Sequence, residues 1–196
     1  SSDVCSSDLD KIVFAGVGKA DWEINLGLDN DIFCFNVESA VELEIINELA
    51  ATKNKVASIA LRINPEVDAH THAKITTGMK ENKFGINLSQ LGGVLDKLKE
   101  MKNVKLIGIH SHIGSQITDM SSFRNLVIRF NEIQEELEAH GVTVENLNFG
   151  GGLGIDYYHP NHLSIPAFDN YFAAIHKLLQ VRPGQQVHFE PGRSIV

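Results

Sequence analysis

A chain of 196 residues with 43% hydrophobic and 21% charged side chains can bury one sizeable core, so one domain, or most of one, is the expectation. Acidic residues outnumber basic ones 25 to 17, giving a net charge of -8, and no Lys/Arg-rich run or interleaved aromatic stripe offers a footprint for a phosphate backbone, which argues against nucleic acid as a partner. No stretch approaches the ~20 apolar residues of a membrane span and no signal-peptide core opens the sequence. The two cysteines, Cys5 and Cys34, build neither a metal-type pair nor a disulfide framework, which points to a reducing cytoplasm.

In chain order, the opening "SSDVCSSDL" is Ser/Asp-rich and without periodicity, and reads as an extraneous flank, residues 1–9, ahead of a domain over 10–196. From there short β-branched runs alternate with amphipathic stretches. The strand candidates are "KIVFAG", "DIFCFNV", "VASIALRIN", "VKLIGIHS", "ENLNFG" and "QVHFEP". Between them the clearest helices are "SAVELEIINELAATK", where Ser39 and Glu42 form an S-x-x-E capping box, and "SSFRNLVIRFNEIQEELEAHG", closed by Gly141. Most of the strands read as apolar throughout, as expected when helices cover both faces, so the reading is a parallel sheet of βα repeats with no linker dividing it.

A doubly wound sheet and a (β/α)8 barrel both fit this alternation, and the polar residues help to choose. At nearly every strand's carboxyl end sits something that packing alone would not select: Gly16 to Lys19, Asn36 and Glu38, Arg62 and Asn64, His112 to Ser115, Gly150 to Gly154, Glu190 to Arg193. A barrel gathers all of these at one mouth, but a full barrel has eight strands and typically ~250 residues. The sequence therefore reads as an incomplete barrel of about six βα units, in which the strand ending at "EPGR" would be the eighth and the glycine segment would follow the seventh, the two positions where barrels commonly hold phosphate.

Three segments carry the chemistry. In "GIHSHIGSQ", His110 and His112 could be a metal claw, packing residues or the edge of a cofactor pocket. In "NFGGGLGIDY", three consecutive glycines leave backbone N–H groups unshielded for close approach of a phosphate, or form only a tight turn; the spacing matches neither a Walker A loop nor a G-x-G-x-x-G fingerprint. In "EPGR", a carboxylate and a guanidinium fall within four residues at a strand end, able to touch a basic ring nitrogen and a phosphate together, or to form a surface turn with an ion pair.

Taken together and in order, "FNVES", "ALRINPEVDAHTHAKITTGMKENKFG", "GIHSHIGSQI", "NFGGGLGIDY" and "FEPGRSIV" resemble the barrel domain of the diaminopimelate decarboxylase family. These are pyridoxal-phosphate enzymes of the alanine-racemase-like barrel class, which also holds ornithine and arginine decarboxylases. The resemblance runs from about Ile12 to Val196, and "TTGMKENKFG" favours the diaminopimelate branch. It implies a pyridoxal-phosphate-binding (β/α)8 barrel of the alanine racemase type, an amino-acid substrate, a homodimer in the full-length enzyme, and conversion of meso-2,6-diaminopimelate to L-lysine, the last step of lysine biosynthesis.

By the same resemblance His112 lies flat against the pyridine ring and Ser115 reaches toward the phosphate. Gly150, Gly151 and Gly152 form the phosphate loop. Glu190 faces the ring nitrogen; Pro191 shapes the turn, and Gly192 and Arg193 hold phosphate or substrate carboxylate. Arg62 sits beneath the ring, and His110 is a packing or supporting residue. Ser111 stands where the family often shows cysteine. The lysine that attaches the cofactor belongs to a "YAxKAN"-like segment upstream of Ile12, and a C-terminal β-domain follows the barrel; neither is legible here, and Lys19 in "GVGKAD" is the only other strand-end lysine that attracts attention. Rival readings are a related decarboxylase acting on ornithine, arginine or lysine, a barrel hydrolase with a metal gripped by His110 and His112, and a non-catalytic regulator that keeps the barrel. The guanidinium of Arg193 and the bare glycines argue against the metal, and no metal is expected. His70 and His72 read as solvated loop residues near the mouth.

Overall fold

The computed structural model describes residues 8–67, 84–159 and 168–195. After a single 3-10 turn, Leu9–Lys11, the elements are β1 Val13–Phe14, α1 Asp21–Asp29, β2 Cys34–Val37, α2 Ala40–Thr52, β3 Ala57–Asn64, β4 Ile86–Asn87, α3 Leu88–Glu100, β5 Val104–His110, α4 Met120–Ala139, β6 Asn146–Asn148, α5 Phe168–Leu178 and β7 Gln186–His188. His70, His72 and His162 lie outside the described residues, as does most of "TTGMKENKFG".

Every strand pairing is parallel, in the order β1-β2-β3-β5-β6-β7, with the two-residue β4 pairing β3 off this path. Six strands follow one another as the sequence indicates, and β4 is an addition it does not. The sheet is strongly curled. Three strands separate β2 from β7, which in a flat sheet would hold them ~19 Å apart at the usual spacing, yet the rings of Phe33, just before β2, and His188, on β7, have centroids 6.1 Å apart. The architecture is the curled parallel sheet of a partial (β/α)8 barrel, with helices on its outer face.

The outer face makes the main core. Phe35, Val37, Ile59, Leu61, Ile63, Ile109 and Leu147 from the strands pack with Leu43 and Ile46 of α2, Leu91 and Leu95 of α3, and Phe123, Leu126, Phe130 and Leu137 of α4. The 3.6-residue period of α4 aligns these apolar positions on one stripe. Asp119 caps its start by accepting from the Ser121 N–H at 2.8 Å, and Gly141, at φ 74°, ends it. Phe130 stacks on Phe149 with ring centroids 4.1 Å apart, which fastens α4 to the end of β6. In α1 a β-carbon on Gly27 would lie 2.7 Å from Phe35 Cζ, so a glycine is needed for that helix to lie against β2.

Two expectations change. The expectation that most strands are apolar throughout does not extend to β6 and β7, which run Asn146-Leu147-Asn148 and Gln186-Val187-His188, with the aliphatic residues toward the helices and the polar ones inward. Inside the curl a small apolar cluster of Cys34, Ala60 and Ile107 gives way to polar side chains toward the strand ends. The S-x-x-E box at α2 is also only half formed. Ser39 Oγ accepts from the Glu42 N–H at 3.2 Å, but the Glu42 carboxylate passes over Ser39 to take the Glu38 N–H at 2.6 Å, because its other oxygen is held at 2.6 Å by Lys19 Nζ.

Candidate active site

The strand ends β2, β3, β5, β6 and β7 place Glu38, Arg62, the segment His110 to Gln116, the segment Asn148 to Gly152, and the segment Glu190 to Arg193 at one mouth. The glycine segment is locked between its neighbours. A β-carbon on Gly150 would lie 2.5 Å from the Ser111 carbonyl oxygen, on Gly151 2.2 Å from that of Glu190, and on Gly152 2.3 Å from that of Gly114. Gly150 and Gly152 also sit at φ 64° and 107°, where side chains are disfavoured. All three are therefore required for the "HIGSQ", "GGG" and "EPGR" loops to interlock, whatever else they bind. The Gly150 N–H donates to Asn148 Oδ1 at 2.9 Å and the Gly151 N–H to His112 Nδ1 at 3.3 Å. Among the described residues the Gly152 N–H is the one of the three left for a ligand.

His112 is half-buried, and its imidazole is pushed below the ordinary 6.5 by burial first, then by the charge of Arg62 and by His110. Accepting the Gly151 N–H at Nδ1 suits this neutral form, with the remaining proton on Nε2. Ser115, on the exposed turn between Gly114 at φ 133° and Gln116 at φ 60°, stands on the loop that packs over Gly152. Gln116 itself, which the sequence did not single out as a site residue, is a clamp. Its Oε1 accepts from the Ile155 N–H at 3.3 Å and from Arg193 Nη1 at 3.5 Å, and its Nε2 donates to the Ile155 carbonyl. Its place directly after "HIGS" was the available signal.

Glu190 points inward from the end of β7. Asn148 Nδ2 donates to its Oε1 at 2.8 Å and His110 Nε2 lies 3.6 Å from its Oε2. These partners, His110 foremost, hold the carboxyl down at about 2 against the upward push of partial burial, with a smaller contribution from His112. Arg193 is exposed, lies over the Tyr157 ring at 5.6 Å, and forms no ion pair among the described residues. Gly192 beside it is open on the side a β-carbon would occupy.

Two sequence candidates are committed elsewhere. Arg62 Nη1 donates to both oxygens of Glu38, at 2.8 and 2.9 Å, and its guanidinium lies over Phe84 at 5.7 Å. Lys19 Nζ is saturated by the Gly16 carbonyl at 2.8 Å, the Asn36 carbonyl at 2.7 Å and Glu42. His110 and His112 turn to different partners, Glu190 and Gly151, instead of to one point. Among the described residues no three His, Cys, Asp or Glu side chains gather as metal ligands would, and no helix is long and apolar enough to cross a membrane.

The mouth has what a phosphorylated pyridine would require: an ionised carboxylate, a neutral imidazole, an exposed guanidinium and an unspent glycine N–H. Among the described residues three buried side chains also carry polar atoms with no hydrogen-bond partner, Asn36, His110 and Ser194. Such orphans are rare in a closed core and fit a surface that receives a polar ligand.

The sequence model of the family described as pyridoxal-dependent decarboxylase, pyridoxal binding domain, matches residues 5–196. The chain belongs to this family. It is 63% identical over 186 residues to diaminopimelate decarboxylase of Bacteroides thetaiotaomicron, covering 95% of the chain and 48% of that relative, and 42% identical over 190 residues to that of Haemophilus influenzae, covering 96% and 45%. Among solved structures, diaminopimelate decarboxylase from M. jannaschii superposes with a TM-score of 0.86 at 37% identity, over 100% of this chain and 46% of the other. The Helicobacter pylori enzyme complexed with L-lysine gives 0.83 at 37% identity, over 94% and 46%. This pyridoxal-binding domain thus spans about half the length of the decarboxylases it matches.

Proposed function

We propose that this chain is the cofactor-binding portion of an enzyme that decarboxylates meso-2,6-diaminopimelate to L-lysine with pyridoxal phosphate, acting as a homodimer. The observation that carries the reading is Glu190, held ionised by Asn148 and His110 at a mouth that also presents Arg193 and the glycine loop. The choice of substrate rests on the 63% and 42% identical relatives.

Pyridoxal phosphate, when bound, supplies a pyridinium ring that takes up the electron pair left at the α-carbon as carbon dioxide departs. The ionised Glu190 favours a protonated ring nitrogen through opposite charge. His112, neutral and steadied by the Gly151 N–H, offers a flat apolar-edged surface to one face of the ring and shields it from water. Ser115, the Gly152 N–H and Arg193 serve as anion anchors, with Gln116 steering the guanidinium. Lys19 is not the attachment lysine on this reading, since its ammonium already has three acceptors.

The test is to assay the enzyme carrying this chain, with pyridoxal phosphate, for carbon dioxide release from meso-diaminopimelate, ornithine, arginine and lysine in parallel. Diaminopimelate should be preferred and L-lysine should appear in equal amount. A preference for one of the other three would overturn the substrate, and no cofactor-dependent release from any would overturn the activity. Borohydride reduction of the loaded enzyme should leave Lys19 unmodified.

A further inference from the structure

His110 is the least explained residue of the mouth. It ends β5, is only 2% exposed, and among the described residues neither ring nitrogen has a hydrogen-bond partner. An imidazole that only filled space would leave both nitrogens stranded at an appreciable cost, about 1 to 3 kcal/mol for a group without a partner. Among the described residues its ion-pair neighbour is Glu190, with Nε2 3.6 Å from Oε2. The other groups around that carboxylate are engaged or uncharged. From β3, Arg62 is bound to Glu38 beyond β2. From β2, Cys34 is kept a neutral thiol, pushed up to about 12 by burial. From β6, Asn148 already donates to Oε1, and on β7 His188 Nε2 is paired with Asn146 Oδ1 at 2.8 Å. His112 gives Nδ1 to Gly151. Lys19 is turned to Glu42.

We propose that His110 is a positioning residue for Glu190: its buried imidazole faces Oε2 while Asn148 holds Oε1, so that the carboxylate is kept directed into the barrel. The inference rests on the cofactor role given to Glu190 under the proposed function. Its physical content is that the two carboxylate oxygens have two separate jobs' worth of restraint. Asn148 belongs to the strand before the glycine loop and links Oε1 to the Gly150 N–H through its own Oδ1. His110 belongs to the strand before the "HIGSQ" loop. Glu190 is thereby registered against both neighbouring loops, and a buried cation-capable ring, unlike the amide, also opposes its protonation. His110 touches neither cofactor nor substrate on this account and acts only through Glu190.

The experiment uses the enzyme carrying this chain, labelled at the glutamate side-chain carboxyl carbon, with the Glu190 signal assigned by its loss in Glu190→Gln. In the cofactor-free protein the wild-type Glu190 signal should titrate near 2, and in His110→Phe its midpoint should rise toward the ordinary 4.5. His110→Gln, which keeps a neutral donor, should fall between them and carries the same test if the phenylalanine variant does not fold. In the loaded enzyme His110→Gln should lower kcat with little change in KM, and in a Glu190→Gln background it should add almost nothing. A Glu190 midpoint unmoved in a folded His110 variant overturns the proposal, as do fully additive losses of kcat. The carboxyl titration needs no turnover, so an enzyme that decarboxylates nothing would sink the proposed function while still deciding whether His110 governs Glu190.

Discussion

Two polar clusters line the same curled sheet and are built in opposite ways. On the β1–β2–β3 side, Lys19, Glu42, Glu38 and Arg62 form a closed set: every charge has a partner, the distances run from 2.6 to 2.9 Å, and the Lys19 side chain is 1% exposed. On the β5–β6–β7 side Asn148 holds Glu190 at 2.8 Å, but the remaining site contacts are looser, 3.3 Å from Gly151 to His112, 3.6 Å from His110 to Glu190 and 3.5 Å from Arg193 to Gln116, and among the described residues the His110 nitrogens have no hydrogen bond. A finished network confers rigidity and has little left to offer a ligand, whereas a partly satisfied one keeps donors and acceptors available for chemistry. The difference separates scaffold from site on one sheet.

The largest effect on stability should come from breaking the closed cluster. Glu42→Ala strands the buried Lys19 ammonium with only its two carbonyls, and should cost about 3 kcal/mol of stability, near the lower end for removing one partner of a buried ion pair. Thermal or denaturant unfolding of the enzyme carrying this chain would measure it. Turnover per folded molecule should hold, since neither residue reaches the mouth's free groups. A fully stable Glu42→Ala would mean that the cluster is not the scaffold it is taken for.

The open cluster should respond in the reverse sense. Glu190→Gln keeps the shape and the Asn148 contact but removes the charge, so kcat should fall by about 10² to 10³, the scale of other lost electrostatic stabilisers, while cofactor retention changes little. Arg193→Ala deletes a guanidinium that no carboxylate holds, and should chiefly raise the apparent dissociation constant for cofactor or the KM. Steady-state kinetics across both concentrations separates the two. Should Glu190→Gln be nearly silent in kcat with cofactor bound as in wild type, the role given to this carboxylate would have to be withdrawn.

How much of this was legible in the chain follows from the same contrast. The site loops could be read because "HIGSQ", "GGG" and "EPGR" concentrate their chemistry in a few consecutive residues, and because β-branched runs at regular intervals announce a parallel sheet. The partners were not legible. Arg62 meets Glu38 and Lys19 meets Glu42 across 24 and 23 residues, and Asn148 meets Glu190 across 42, so only strand order and register bring them together. Asn148 was hidden in "ENLNFG", where an asparagine between apolar residues looks like a strand tolerating a polar residue. For His110 the sequence offers a packing or supporting role without naming what it supports, since Glu190 arrives from a strand 80 residues later. The three glycines read in the sequence as a phosphate loop or a tight turn, and the structure adds what they must clear, since each would drive a β-carbon into a neighbouring loop's carbonyl.

The smallest expected effect is in acid stability, and it tests the open cluster from within. His112 has its folded midpoint below the ordinary 6.5, so as pH falls the unfolded chain takes up this proton first. The contribution of the neutral ring is therefore complete above about pH 6.5 and is lost as pH falls from there toward the lower folded midpoint. Glu190 also has a depressed midpoint, but from 4.5 to about 2, so its contribution is complete above the first value and disappears only between the two. The two windows do not overlap at their upper ends, which lets melting temperatures assign them. The loss between pH 7.5 and 5.5 should shrink in His112→Gln and persist in Glu190→Gln. Below pH 4 the order should reverse, with Glu190→Gln the less sensitive. Because the Gly151 N–H occupies His112 Nδ1, protonating the ring there also removes that hydrogen bond and loosens the glycine loop, so the acid limb of cofactor retention should follow the His112 window. If His112→Gln left the pH 7.5 to 5.5 loss intact, the neutral, loop-bound imidazole would not be what that window reports.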